Sequence, residues 1–172
     1  MASQDLAEQL LELPDVEAQR RFLEAHTPQL NDDVASALKE QADQFLRADL
    51  DRSLRVSELL LHLAKLTEDP QHRALGLIAN AHARSFGGLG EYEHAVSLLN
   101  EAADIYQAYN RPVDAARAQI GKIWSLAQLG HYQEAFETGE WAQATARQSR
   151  AWSDRSALPG RHSAVAVPHR HR

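Results

Sequence analysis

The 172-residue chain contains no cysteine and a single methionine. The absence of cysteine excludes disulfides, thiol catalysis and thiolate metal sites, and it is compatible with a reducing compartment. No apolar run approaches the roughly 18 residues that a membrane span requires. The N-terminus also lacks the basic and apolar segments of a secretory signal. These absences predict a cytoplasmic protein that does not enter a membrane.

Charge is distributed unevenly along the chain. Residues 1–148 hold 13 Lys and Arg against 23 Asp and Glu, a net charge of −10, whereas residues 149–172 carry +4. An acidic body argues against nucleic-acid binding by the folded part, because phosphate contacts require a basic face. Residues 148–172 are rich in Arg, Ser and His and have no helical stripe, which predicts a disordered basic tail.

Residue combinations typical of an enzyme are also missing. The nine histidines include no His-Glu-x-x-His pair, and the glycine-rich stretch from Gly87 to Gly90 joins two predicted helices rather than following a strand. The sequence His169-Arg170-His171 can bind a transition metal on a purification column, but a flexible His-x-His is a poor specific site. We therefore predict no enzymatic activity, no cofactor and no metal site.

A short sequence recurs after 40 residues. A fixed period of this length predicts stacked helix–turn–helix units. The glycine of each copy falls where a first helix ends and a left-handed backbone is needed, and the alanines lie along one stripe of the second helix. The recurring residues are Leu89, Gly90, Tyr92, Ala95 and Ala102, and then Leu129, Gly130, Tyr132, Ala135 and Ala142.

The pattern Leu-Gly-x-Tyr-x-x-Ala-x6-Ala resembles the tetratricopeptide repeat. Ala83 and Phe86 agree with the small and aromatic positions of that family's first helix, whereas the second copy has Ile123 and Leu126 there. The period of 40 exceeds the family's usual length of about 34, so longer helices are implied. The resemblance implies an all-α, right-handed α-solenoid of antiparallel helix hairpins. The N-terminal half also resembles the leading region of bacterial tetratricopeptide proteins that end in a caspase-like peptidase domain.

Turn and cap signals divide the chain into three parts. Residues 1–30 are predicted to form N-terminal capping helices, 31–147 to form about 2.5 to 3 repeat-like units, and 148–172 the tail. Asp15 is a predicted helix cap, and either Asp69 or Thr67 is predicted to cap a later helix. Thr27 and the proline after it are predicted to start a helix that runs to about Ala48. Because an array usually continues or closes with a capping helix, a truncated or frame-shifted reading frame is a further interpretation of the tail.

The resemblance also implies a binding surface. First helices of such arrays line a concave groove, and the repeat register places Ile120 and the candidate binding residues there. The candidates for protein binding are Asn80, Arg84, Arg117, Trp124 and Gln128.

Trp124 is the candidate anchor of that groove, because Trp and Arg dominate interface hot spots. The alternative is that Trp124 packs into the core against Leu99 or Tyr106. The family's clamp for C-terminal carboxylates uses a lysine and an asparagine where this chain has Asn80 and Arg84. Binding of chaperone tails is therefore not expected.

The predicted function is a non-catalytic scaffold that binds a protein or peptide segment in its groove. The alternative is a detached regulatory or sensor segment of a larger enzyme, such as a caspase-like peptidase or a signalling ATPase. Self-association is a further prediction, because an uncapped last repeat exposes apolar surface around Phe136 and Trp141.

Overall fold

The computed structural model describes residues 3–87 and 89–156. Within these ranges every regular element is a helix and no strand occurs, so the all-α prediction is confirmed there. The elements are α1 (Ser3–Glu12), α2 (Val16–Ala25), a short 3-10 helix (Thr27–Gln29), α3 (Asp32–Phe45), α4 (Leu50–Thr67), α5 (Pro70–Phe86), α6 (Tyr92–Ala108), α7 (Pro112–Gln128) and α8 (Tyr132–Ser156). Among the described residues, no helix combines the length and hydropathy that a membrane crossing requires.

Side-chain caps determine where several helices begin. Asp15 Oδ1 accepts the Ala18 N–H at 2.8 Å at the start of α2, and Asp69 Oδ1 accepts the Gln71 N–H at 2.7 Å at the start of α5. The predicted cap at Asp15 is confirmed, and of the two alternatives for the later helix Asp69, not Thr67, caps α5. Each of these aspartates satisfies a backbone donor that the helix itself cannot pair, which stabilises the helix by about 1 kcal/mol.

The helix predicted to run from Thr27 to about Ala48 is wrong in its first part, and α3 ends at Phe45. Thr27 begins only the 3-10 helix, and the extended backbone of Leu30 ends it. Asn31 then caps α3, because its Oδ1 accepts the Val34 N–H at 3.1 Å. An asparagine cap immediately ahead of the apolar stripe overrides the Thr-Pro start signal.

The two glycines of the recurring sequence adopt the backbone conformation expected of them. Gly90 has φ of 70° and Gly130 has φ of 78°. Each follows a first helix, α5 or α7, and turns the chain into the second helix of its hairpin. The prediction of a left-handed residue at both turns is confirmed.

Each helix from α3 to α7 packs against the next helix in the chain, which forms the hairpins α3–α4, α5–α6 and α7–α8. The first helices also meet, α3 with α5 and α5 with α7. Polar contacts between their starts follow the 40-residue period: Asp32 with His72, and Gln71 with Arg111. Sequential packing of this kind is consistent with a helical repeat, and the contacts place the first helices with their N-terminal ends together.

The core differs along the array. Around α1 to α4 it is built from leucines, and each buried leucine stabilises the fold by about 1.5–3 kcal/mol. Between α5, α6 and α7 alanines dominate, which lets the helix axes approach closely. The fully buried leucines include Leu6, Leu10, Leu23, Leu38, Leu59, Leu60 and Leu63, and the alanines are Ala74, Ala102, Ala103, Ala115 and Ala118.

Helix α8 corrects the predicted start of the tail. The tail was expected from residue 148, but α8 continues to Ser156. After Gly139 the next helix-breaking residues are Pro159 and Gly160, so the local sequence favours continuation of the helix. The remainder of the predicted tail, 157–172, lies outside the described residues.

Candidate protein-binding face

Helices α5 and α7 lie side by side and contact each other near both ends. At their starts, Arg111 Nη1 donates to Gln71 Oε1. Near their ends, the rings of Phe86 and Trp124 lie 6.4 Å apart at an interplanar angle of 35°. These contacts align the two helices and bring an aromatic side chain from each to a common surface.

That surface carries an exposed group of large apolar side chains. The exposed fractions are 48% for Phe86, 53% for Ile120 and 49% for Trp124. Ile120 and Trp124 are one helical turn apart and therefore project from the same side of α7. We call these three residues the apolar strip. Contiguous apolar surface on a folded protein marks interaction sites more often than scattered exposed residues do.

The predicted groove residues on α7 lie along one side of the helix. Arg117, Ile120, Trp124 and Gln128 follow one another at intervals of three or four residues, and all are exposed. Trp124 lies at the surface, not in the core between α6 and α7. Arg117 is ion-paired with Asp114 at 3.2 Å and still extends into solvent. The structure thus brings the α7 candidates together beside Phe86.

The predicted groove residues on α5 lie elsewhere. Asn80 is buried and donates to Ser57 Oγ on α4 at 2.8 Å. Arg84 is mostly buried, donates to Asn80 Oδ1 at 2.6 Å and pairs with Glu91. Neither side chain joins the apolar strip. The residue of α5 that does belong to the apolar strip is Phe86, which the repeat pattern marked only as an aromatic position.

An ion-pair network joins α3 to α5, the helix that carries Phe86. His82 Nδ1 lies 3.6 Å from Asp43 Oδ1, Lys39 Nζ pairs with Asp43 Oδ2, and the His82 ring lies 5.4 Å from that of Phe86. Burial raises the pKa of Asp43, but hydrogen bonds from His82 and Lys39 and their positive charges outweigh burial. The pKa of Asp43 therefore lies below its ordinary value of 3.8.

A polar cleft of about 190 Å³ opens where α3, α5 and α7 begin. Tyr106 lines this cleft. Burial raises the pKa of its phenol above the ordinary value of 10.0, and the Asp114 carboxylate raises it further. The positive charges of Arg111 and Arg117 lower it by less. The phenol is therefore neutral at physiological pH. The lining residues are Asp32, Ser36, Gln71, His72, Leu75, Tyr106, Arg111 and Asp114.

Among the described residues, five histidines have a carboxylate oxygen within 4.0 Å. The spacing of histidines in the sequence did not predict these pairs, because most of the carboxylates lie on a different helix from the histidine that they contact. The pairs are His62 with Glu24, His72 with Asp32, His82 with Asp43, His94 with Glu91, and His131 with Glu134.

The side of α8 on which a further first helix would pack differs from the side of α6 that packs on α7. The α6 residues that pack toward α7 recur 40 positions later as small or polar residues, so α8 lacks the apolar surface on which a further first helix would pack. The correspondence is Leu99 to Gly139, Ala103 to Gln143, and Tyr106 to Ala146. Phe136 and Trp141, which underlie the self-association prediction, are both exposed.

Comparison of the chain with family models, with curated proteins and with solved structures found no match in any of the three. The resemblance to tetratricopeptide proteins, the right-handed solenoid, the cytoplasmic location and the larger-enzyme alternative therefore stay predictions from the sequence.

Proposed function

We propose that this chain is a scaffold that binds a segment of another protein on the surface formed by α5 and α7. The observation that carries the proposal is the apolar strip, in which Phe86, Ile120 and Trp124 are each about half exposed. The bound segment presents an apolar side chain to this strip.

The side chains around the strip suit that role. Trp124 offers a large, rigid ring that loses little conformational entropy on binding, and tryptophans of this kind dominate interface energetics. Arg117 and Gln128 are exposed on the same side of α7 and form a polar rim. An apolar centre with a polar rim is the usual arrangement of a protein interface.

The repeat architecture adds independent support. Helices α5 and α7 are the first helices of consecutive hairpins. In the tetratricopeptide family, which the recurring sequence resembles, first helices line the groove that binds peptides. The strip therefore occupies the part of the fold where that resemblance implies binding.

The test is selection of peptides from a random displayed library on the immobilised chain, followed by affinity measurement. We expect selected peptides to share an aromatic or aliphatic residue. We expect Trp124→Ala to weaken their binding by about 2 kcal/mol or more, roughly 30-fold. Trp141→Ala is the matched control, because Trp141 is also exposed but lies on α8.

Peptides that bind Trp124→Ala and the wild type equally would contradict the proposal. So would a selection that yields only peptides whose binding depends on Trp141. Light scattering of the wild-type chain shows whether a second copy occupies the strip instead, in which case Trp124→Ala lowers the measured mass.

A further inference from the structure

The start of α5 holds a histidine in a setting unlike that of the other histidines that the structure describes. His72 is only 4% exposed. Its Nε2 lies 2.9 Å from Asp32 Oδ1 on α3 and 4.0 Å from Asp69 Oδ2 at the cap of α5. One ligand atom from each of these residues lies within 4.8 Å of the other two. In the part of the chain that the structure describes, no other three His, Asp or Glu residues come together in this way.

The opposite ring nitrogen of His72 is held by Thr67. Thr67 Oγ1 lies 2.9 Å from His72 Nδ1 and also 3.1 Å from the carbonyl oxygen of Leu63. For the neutral imidazole, these distances allow two proton arrangements. In one, Thr67 donates to Nδ1, and Nε2–H donates to Asp32. In the other, Thr67 donates to Leu63, Nδ1–H donates to Thr67, and the Nε2 lone pair points at the carboxylates.

The second arrangement has an electrostatic requirement. A lone pair and a carboxylate oxygen 2.9 Å apart repel each other unless a proton lies between them or a metal ion lies beside both. A divalent metal ion meets this requirement, since neutral imidazole and carboxylate oxygen are both common ligands of zinc-class metals. A hydrogen bond from the remote ring nitrogen, here to Thr67, is the usual device that orients such a histidine.

We propose that His72 Nε2, Asp32 and Asp69 bind a divalent first-row transition metal ion, for which Zn²⁺ is the probe. Around a metal with bonds of about 2.1 Å, ligand atoms lie roughly 3 to 4 Å from one another. The distances from Nε2 to both carboxylates are already close to this range. Asp32 is 91% exposed, so its side chain is free to rotate and close the remaining distance.

The ion would connect two hairpins, because Asp32 starts α3 whereas Asp69 and His72 start α5. The two carboxylates balance the charge of the metal, and the exposure of Asp32 leaves the ion accessible to water. Metal binding would therefore stabilise the contact between first helices without using any residue of the apolar strip. This inference does not rest on the proposed function.

The test is calorimetric titration with Zn²⁺, together with thermal unfolding followed by circular dichroism. The full chain carries His169→Asn and His171→Asn, so that the His-x-His sequence near the C-terminus does not contribute. We expect one ion to bind per chain. At Zn²⁺ about 100 times its dissociation constant, the unfolding midpoint rises by roughly 5–10 °C and returns when a chelator is added.

Three variants in that background locate the site. Asp32→Asn is expected to weaken binding at least ten-fold. Asp33→Asn is its matched control, because Asp33 lies next to Asp32 in the first turn of α3 and is exposed but outside the cluster. Asp69→Ser keeps a good helix cap while removing the ligand oxygen, so it also weakens binding without unfolding the protein.

Binding that is equal in Asp32→Asn, Asp69→Ser and Asp33→Asn would overturn the proposal, as would the absence of binding to the His169→Asn, His171→Asn chain. The role of Thr67 has its own readout. Thr67→Ser, which keeps the hydroxyl, retains the affinity, whereas Thr67→Val loses about ten-fold or more.

Discussion

Asn80 on α5 and Ser57 on α4 join their helices through a buried hydrogen bond, Nδ2 to Oγ, of 2.8 Å. Ser57 Oγ in turn donates to the carbonyl oxygen of Leu54 at 2.7 Å, so the hydroxyl is used both as acceptor and as donor. The residue in the same register one repeat later is Ile120, which is exposed. The same position is therefore structural in one repeat and part of the surface in the next.

This pair gives the first prediction. Asn80→Ala leaves the Ser57 hydroxyl without its donor, and Ser57→Ala leaves the buried Asn80 amide without its acceptor. Each is expected to lower the free energy of unfolding by about 1–3 kcal/mol. The double variant should lose less than the sum of the two, which denaturant unfolding of all four proteins would show.

The control for that cycle is Ile120→Ala. Because Ile120 is largely exposed, its truncation should change stability by only about 0.5 kcal/mol or less. Strict additivity of Asn80→Ala and Ser57→Ala, or an equal loss in Ile120→Ala, would show that the buried pair is not a structural link between α4 and α5.

The misplacement of Asn80 shows what a repeat register can and cannot predict. The register correctly predicted the hairpins, the turn glycines and the buried alanine stripe, because these depend on contacts within one repeat. It treats every repeat as equivalent, however. Helix α5 packs against α3, α4, α6 and α7, whereas α7 packs against α5, α6 and α8. Equivalent positions therefore need not share an environment: Asn80 is buried against Ser57 on α4, whereas Ile120 is exposed.

Contacts between helices were predictable only where they follow the period. Asp32 and His72 are 40 residues apart, as are Gln71 and Arg111, so a search for chemically complementary residues at that spacing would have found both. Phe86 and Trp124 differ by 38 positions and do not obey the register. Their contact depends on how α5 and α7 are rotated about their axes, which the sequence period does not specify.

The turn glycines give the second prediction. A Cβ at Gly130 would meet no heavy atom within 4 Å, and one at Gly90 would meet only the Tyr92 ring at 4.0 Å. Any cost of alanine there comes from the left-handed backbone, about 1–2 kcal/mol at each position. Gly130→Ala and Gly90→Ala should therefore each lower the unfolding free energy by that amount.

Gly139 is the matched control for those glycines. It lies inside α8, and a Cβ there would make only ordinary contact with Ile123 at 3.7 Å. Gly139→Ala should stabilise the protein by about 0.5–1 kcal/mol, because alanine has the higher helix propensity. A similar effect of alanine at Gly130 and Gly139 would contradict the strain argument.

The third prediction concerns acid and Asp43. The pKa of Asp43 is lowered in the folded protein, so the unfolded chain binds its proton more tightly. The carboxylate therefore stabilises the fold above its unfolded pKa, and this contribution is lost as the pH falls below about 3.8 through the lower folded pKa. Asp43→Asn should cost roughly 0.5–1 kcal/mol near neutral pH, a small value because the side chain is partly exposed.

The measurement is the unfolding free energy of wild type and Asp43→Asn across the acidic range. The difference in unfolding free energy between the two proteins should shrink toward zero as the pH falls below the folded pKa of Asp43, which lies under 3.8. Lys39→Gln removes the ammonium group, one of the two side-chain groups that hydrogen-bond the carboxylate, so it should cause a partial loss at neutral pH. A difference that is constant with pH would mean that Asp43 acts through shape and not through its charge.

The last prediction concerns the side of α8 on which a further helix would pack. On α6 the corresponding side carries Leu99 and Tyr106, which pack with α7, whereas α8 has Gly139 and Ala146 at the same positions. The variant Gly139→Leu, Gln143→Ala, Ala146→Tyr restores the α6 side chains on α8. An open apolar face of this kind stacks on a neighbouring repeat, so the variant should self-associate more strongly than the wild type.

Light scattering over a wide concentration range measures this effect as an increase in mean mass at lower protein concentration than in the wild type. Phe136→Ser in the wild-type background is the comparison, since Phe136 is exposed on α8 but was not altered by the triple change. If the wild type already dimerises and Phe136→Ser abolishes the dimer, the association involves Phe136 on α8. If the triple variant has the mass of the wild type at every concentration, the prediction is wrong. The α6 side chains at positions 139, 143 and 146 are then not sufficient for α8 to pack on another hairpin.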